Sequence, residues 1–126
     1  MKINRLDHAN LRTMQLDTMI AWYVDVLGLQ NGARPDFGFP GAWLYAGDAA
    51  VVHMSQVDGD AGAGSEAALK LEHFALTATG SAEFEDRLNA HGVTFKKSGL
   101  PELGITAFNI WDPDGNHIHV DFTDAG

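Results

Sequence analysis

Apolar and polar residues alternate in four short stretches of this chain. In 6–12, His8, Asn10 and Arg12 fall on one side and Ala9 and Leu11 on the other. In 50–55, His53 and Ser55 oppose Val52 and Met54. In 71–77, His73 and Thr77 oppose Phe74 and Leu76. In 117–122, His117, His119 and Asp121 oppose Ile118, Val120 and Phe122. Period-two alternation predicts strands with one buried face. Further strand-like runs lie near 29–34, 42–46, 93–97 and 104–111. Two stretches carry helical spacing instead, "DTMIAWYVDVL" over 17–27 and "AEFEDRLNAH" over 82–91. Each stops at a glycine, Gly28 or Gly92, followed by apolar Leu29 or Val93, as helix-ending motifs prefer. Ser81 stands where an N-cap is expected. The helices are expected to cover the apolar sheet face through Ile20, Trp22, Val24, Leu27, Phe84 and Leu88.

The pattern occurs twice. "LDHANLRT" at 6–13 and "LEHFALTA" at 71–78 lie 65 residues apart, the helix-ending glycines 64, and His53 and His119 66. Two copies of so long a period predict a duplicated βαβββ unit rather than a solenoid. The expected organisation is one α+β domain over 1–126, with module one at 1–56, a linker at 57–69 and module two at 70–126. The linker region is rich in Gly, Ala and Asp. Its glycines are not followed by the Lys-Ser/Thr of a phosphate loop, and their spacing does not suit a dinucleotide fingerprint.

Composition narrows the function. The net charge of −9, with 8 Lys and Arg against 17 Asp and Glu, disfavours nucleic acid and anionic membrane surfaces. There is no cysteine, hence no disulfide and no thiolate ligand or nucleophile. No leader-like or spanning apolar run occurs, so a cytoplasmic protein is expected. Six histidines remain, and four of them, His8, His53, His73 and His119, occupy repeat-equivalent positions on the polar strand faces. Imidazole is the commonest metal ligand, and four at related positions point to a metal site. His91, at a helix end, carries no such implication. His117, one pleat from His119, is either an outer neighbour of the site or simply exposed.

These residues resemble the vicinal oxygen chelate superfamily of glyoxalase I, extradiol dioxygenases, fosfomycin-resistance metalloenzymes and bleomycin resistance proteins. The resemblance rests on "LDHANLRT", "AWYVDVLGL", "LEHFAL" and "DPDGNHIHV", and covers nearly the whole chain. It implies two βαβββ modules forming a cupped mixed sheet with helices on the outer face, the glyoxalase/dioxygenase-like fold. It implies a divalent transition metal (Zn, Ni, Fe, Co or Mn) on His8, His53, His73 and His119. It further implies a substrate with vicinal oxygens, chemistry of the lyase/isomerase or dioxygenase kind, and a homodimer. Histidine stands at 119 where metalloenzymes of the family usually carry Glu, and at 53 where glyoxalase I has Glu. Four neutral imidazoles leave the site at +2 and favour borderline metals over Mg or Ca. The proton-moving carboxylate of glyoxalase I is absent from both positions, so His119 or Asp121 is the expected catalytic group. Asn10, Arg12, Trp43 and Ser55 are the expected substrate contacts, Arg12 because its fork suits a carboxylate. The aromatic stretch Phe37, Phe39, Trp43 and Tyr45 is either a wall over the metal or an edge and dimer contact. The alternative function is a metal-free, ligand-sequestering protein of the bleomycin-resistance type. A closed, structural His₄ metal is a third reading.

Overall fold

The computed structural model describes residues 1–59 and 71–123. The first half runs β1 (Ala9–Thr13), α1 (Leu16–Asp25), β2 (Gln30–Gly32), β3 (Gly41–Ala46) and β4 (Ala49–Gln56). The second runs β5 (Phe74–Ala78), α2 (Ser81–Ala90), β6 (Lys96–Leu100), a 3₁₀ turn (Pro101–Leu103), β7 (Ile105–Trp111) and β8 (His117–Phe122). Each half is one βαβββ module, and the chain divides into two compact units, Met1–Gly64 and Ser65–Gly126. Each unit has its own mixed four-stranded sheet, ordered β1-β4-β3-β2 in one and β5-β8-β7-β6 in the other. The first strand of each module pairs parallel with the last, and the remaining pairs are antiparallel. Most of the expected linker falls on residues 60–70, outside the described residues. No helix of the described residues is long and apolar enough to cross a membrane.

The alternation seen in the sequence becomes burial. Val52 and Met54 of β4 are buried, as are Ile118, Val120 and Phe122 of β8, while His53, His117, His119 and Asp121 between them are half-buried. In module two Phe108 collects the apolar face, meeting Phe84 of α2 edge-on at 5.4 Å, Phe122 at 5.6 Å and Phe95 at 5.6 Å.

Several sequence expectations are corrected. The buried face of α1 is Met19 and Tyr23, followed by Val26 just past the helix end, at i, i+4 and i+7; Ile20, Trp22, Val24 and Leu27 are only half-buried. Residues 22 and 24 are two apart and cannot share a helix face. Ser81 is the first helical residue rather than the cap: Gly80 precedes it at φ 87° and offers its carbonyl to the Phe84 N–H at 3.0 Å. A glycine takes this left-handed conformation at no steric cost. β6 starts at Lys96 instead of 93, because Val93 N–H is spent on the Leu88 carbonyl at 2.9 Å, closing α2. β1 and β5 begin at Ala9 and Phe74, so His8 and His73 each stand one residue before their strand.

The turn feeding β8 is built by Asp112, which is buried. Its Oδ1 accepts the N–H groups of Asp114 (3.0 Å) and Asn116 (2.9 Å), and its Oδ2 accepts the Asn116 side-chain amide (2.8 Å). Gly115, at φ 85°, completes the reversal. Asp112→Ala leaves these donors unmatched, so a stability loss of about 1–3 kcal/mol is expected. Urea unfolding checks it, and a loss indistinguishable from zero would mean that water replaces the carboxylate.

Candidate functional site

In module one, parallel pairing sets Asn10 beside His53 and Arg12 beside Ser55, and antiparallel pairing sets Trp43 across from His53. β4 lies between β1 and β3, so its His53 ring is flanked from both sides. His8 stacks on it at 3.8 Å and Trp43 at 4.2 Å, with interplanar angles of 13° and 12°. This three-ring row lines a cleft of about 910 Å³, with Arg5, Asp7, Tyr45 and Asp48 also on its walls. Two bonds orient the imidazoles. His8 Nδ1 lies 2.8 Å from Asp7 Oδ2, which leaves its Nε2 for a ligand. His53 Nε2 donates to the Ala50 carbonyl at 3.1 Å, which leaves its Nδ1. Ser55 and Asn10 meet through a long contact, Oγ to Oδ1 at 3.5 Å, with Arg12 exposed beside them. Of the aromatic stretch, Trp43 is the ring that reaches a histidine. Phe37 and Phe39 are exposed and hold the Arg34 guanidinium over their faces at 4.9 and 5.0 Å.

Module two repeats the pair and adds to it. His73 stacks on His119 at 3.8 Å and 10°. His117 comes within 4.8 Å of His119 and 5.3 Å of His73, and rests against Trp111 at 4.7 Å. Glu72 bonds to the Nδ1 atoms of both His73 and His117, the latter at 2.9 Å. Nitrogens of His73, His117 and His119 lie within 4.8 Å of one another, a grouping able to hold a metal ion. Asp121 follows on the same face of β8, and among the described residues its Oδ1 is a buried oxygen with no hydrogen-bond partner.

The electrostatics suit ligation. Burial pushes the His53 imidazole below its ordinary pKa, helped by the charge of His8. Burial does the same for His119, with His73 and His117 adding to it. Both are therefore neutral at neutral pH, the form that binds metals. Glu72 is held below the usual carboxylate range first by its bond to His73 and then by that to His117. Asp7 is lowered by its bond to His8.

The four expected histidines thus stack within their own modules, His8 on His53 and His73 on His119. Sequence reasoning passed over Glu72 and left His117 as either an outer neighbour of the site or simply exposed. A signal for the first was present, since an acid immediately precedes the histidine in both copies, Asp7-His8 and Glu72-His73.

The fold agrees with what comparison with known proteins finds. A glyoxalase/bleomycin resistance protein/dioxygenase domain from Frankia sp. EAN1pec superposes with a TM-score of 0.77 at 19% identity, covering 99% of this chain and 96% of that one. A lactoylglutathione lyase from Agrobacterium tumefaciens gives 0.69 at 21% identity, covering 95% and 94%. The fosfomycin resistance protein FosX from Listeria monocytogenes gives 0.71 at 13% identity, covering 98% and 97%. Likenesses at such identity establish the fold and nothing finer. No curated protein matches the chain in sequence. The family model described as Glyoxalase/Bleomycin resistance protein/Dioxygenase superfamily matches residues 5–120, and the chain belongs to that superfamily.

Proposed function

We propose that this chain is a divalent-metal-dependent enzyme of the glyoxalase or dioxygenase type, acting on a small substrate with vicinal oxygens. The observation that carries the reading is the matched pair of stacked imidazoles, His8–His53 in one module and His73–His119 in the other. Imidazole nitrogens at both places fit a transition metal by donor chemistry. His8, His53, His73 and His119 would hold the ion, which supplies Lewis-acid stabilisation of charge developing on substrate oxygens or activation of dioxygen. Trp43 offers a flat apolar wall beside His53, and Asn10, Arg12 and Ser55 offer polar contacts for the substrate. Asp121 or His119 would move the proton.

The test is metal content by plasma mass spectrometry, on untagged full-length protein purified without chelator, beside His73→Ala. About one transition metal per chain, lost in the variant, is the expected result. A chain that carries no metal and takes up none of Zn, Ni, Fe, Co or Mn is not a metalloenzyme. The ring-lined cleft of module one would then favour a ligand-sequestering protein.

A further inference from the structure

We propose that Arg34 selects the substrate by charge: its guanidinium binds an oxyanion, a carboxylate or a phosphate, set off from the vicinal oxygens, so that this site takes acids in preference to neutral compounds. The inference rests on the substrate contacts given to module one above and adds the class of substrate.

Arg34 lies in the loop between β2 and β3, yet its side chain folds back onto the sheet. Gly41 allows this. A Cβ at 41 would stand 2.7 Å from a terminal guanidinium nitrogen and 2.9 Å from Cζ, and would run into the Met54 carbonyl oxygen. The guanidinium therefore occupies the place of a side chain at position 41. Residues 41 and 43 share a face of β3, and Trp43 on that face stacks on His53. Strand pairing sets Gly41 across from Ser55, and Ser55 beside Arg12. One row across the sheet thus holds Arg34, Ser55 and Arg12, a hydroxyl between two cations. Neighbouring strands are about 4.8 Å apart, so the row is roughly 10 Å wide. The row of Trp43 and His53 lies two residues along the strands, roughly 7 Å away, within reach of the same small molecule. His53 feels the Arg34 charge: burial and then His8 lower its pKa, and Arg34 acts in the same direction.

The fork of Arg34 is held but not used up. Its Cζ rests 4.9 and 5.0 Å from the Phe37 and Phe39 ring centres, and one terminal nitrogen donates to the Phe39 carbonyl at 3.2 Å. Stacking engages the faces of a guanidinium and leaves its edge, where the N–H groups point, open to an oxyanion. Acids outnumber bases 17 to 8 in this chain, yet among the described residues no carboxylate pairs with Arg34 or with Arg12. Asp36, two residues on, spends its Oδ1 on the Gly38 N–H at 3.0 Å. The corresponding row of module two is Ala107, Asp121 and Thr77, with a carboxylate in the place of Ser55. Module one has cations where module two has an anion, and the anion that balances them is left to the ligand.

The experiment is an NMR titration of the ¹⁵N-labelled, metal-stripped full-length chain, following the arginine Nε–Hε signals. The probes are benzoate, phenyl phosphate and the neutral benzamide, whose rings suit the exposed Phe37 and Phe39 beside the fork. At least one anion is expected to bind about tenfold more tightly than benzamide and to shift the Arg34 signal. Arg34→Gln is expected to bring the two within about threefold, and Arg34→Lys, which keeps the charge without the fork, to retain part of the preference. Arg12→Gln, at an exposed position outside the loop, is expected to reduce it too. The tighter anion tells carboxylate from phosphate. No preference in the parent overturns the inference, and so does a preference that survives Arg34→Gln. A lower melting temperature in Arg34→Gln with the preference intact makes Arg34 a clasp for the 35–40 loop and nothing more. If Arg34→Gln does not fold, Arg34→Lys and Arg12→Gln decide, and a preference undiminished in both overturns the inference. The titration needs no metal, so its failure is separate from a failure of metal binding. An Arg34-dependent preference in a chain that takes up no metal supports the anion site within a ligand-sequestering protein.

Discussion

Phe108→Ala is expected to cost about 3–5 kcal/mol of stability, the usual range for emptying a buried phenyl site. Phe108 is 1% exposed and lies in β7, paired with β6 on one side and β8 on the other. Its ring is met by Phe84 from α2, Phe95 and Phe122, so a single truncation removes a central ring contact between helix and sheet and leaves Phe84 on Phe122. The Lys97 ammonium, 5.3 Å above the ring and paired with Glu85, loses its aromatic partner as well. Domains of this size are stable by only about 5–15 kcal/mol, so module two is left marginal. Urea unfolding checks the value, with Phe108→Leu as the control that keeps most of the volume and loses less. A Phe108→Ala loss below about 1.5 kcal/mol would mean that the ring cluster collapses around the gap or was never tightly packed.

The parts of this fold that the sequence made legible are those carried by period and repeat. Val52/Met54 against His53/Ser55, and Ile118/Val120/Phe122 against His117/His119/Asp121, predicted the buried and polar faces because a strand alternates without exception unless a bulge intervenes. Repetition then paired His8 with His73 and His53 with His119 before any tertiary contact was known. Element ends were less legible. Gly80, not Ser81, precedes α2, since a left-handed glycine and a side-chain cap are competing ways to start a helix. The α1 face was misread because nearly every residue from Met19 to Val26 is apolar enough to be buried, and only the sheet beneath decides which are. Glu72 and His117 illustrate a different limit. Their contact joins a residue two positions before one strand to the start of another 45 positions later, and periodicity reports faces, not which end of a strand a neighbouring loop reaches.

Asp121→Asn is expected to lower turnover about 10²–10⁴-fold while leaving metal binding and fold in place, the signature of a lost general base. Asp121 shares the polar face of β8 with His117 and His119, and its Oδ1 is buried with no hydrogen-bond partner among the described residues. A carboxylate oxygen left so is costly to the fold, and such costs are tolerated where the group serves chemistry. Glu72, the other carboxylate of this cluster, is occupied by His73 and His117 and so is poorly placed to take a substrate proton. Asn keeps the shape of Asp but cannot accept a proton, and it removes a buried charge, so stability should hold or rise. The readout is deuterium uptake from D₂O at the hydroxyl-bearing carbon next to the carbonyl of an α-hydroxyketone, followed by NMR with metal-loaded protein. In the parent chain Asp121 is expected to take the proton and return a deuteron from solvent. Exchange at the parent rate in Asp121→Asn would move the base to His119. Exchange lost together with metal would instead make Asp121 a ligand. Only loss of exchange with metal and stability retained assigns the proton transfer to Asp121.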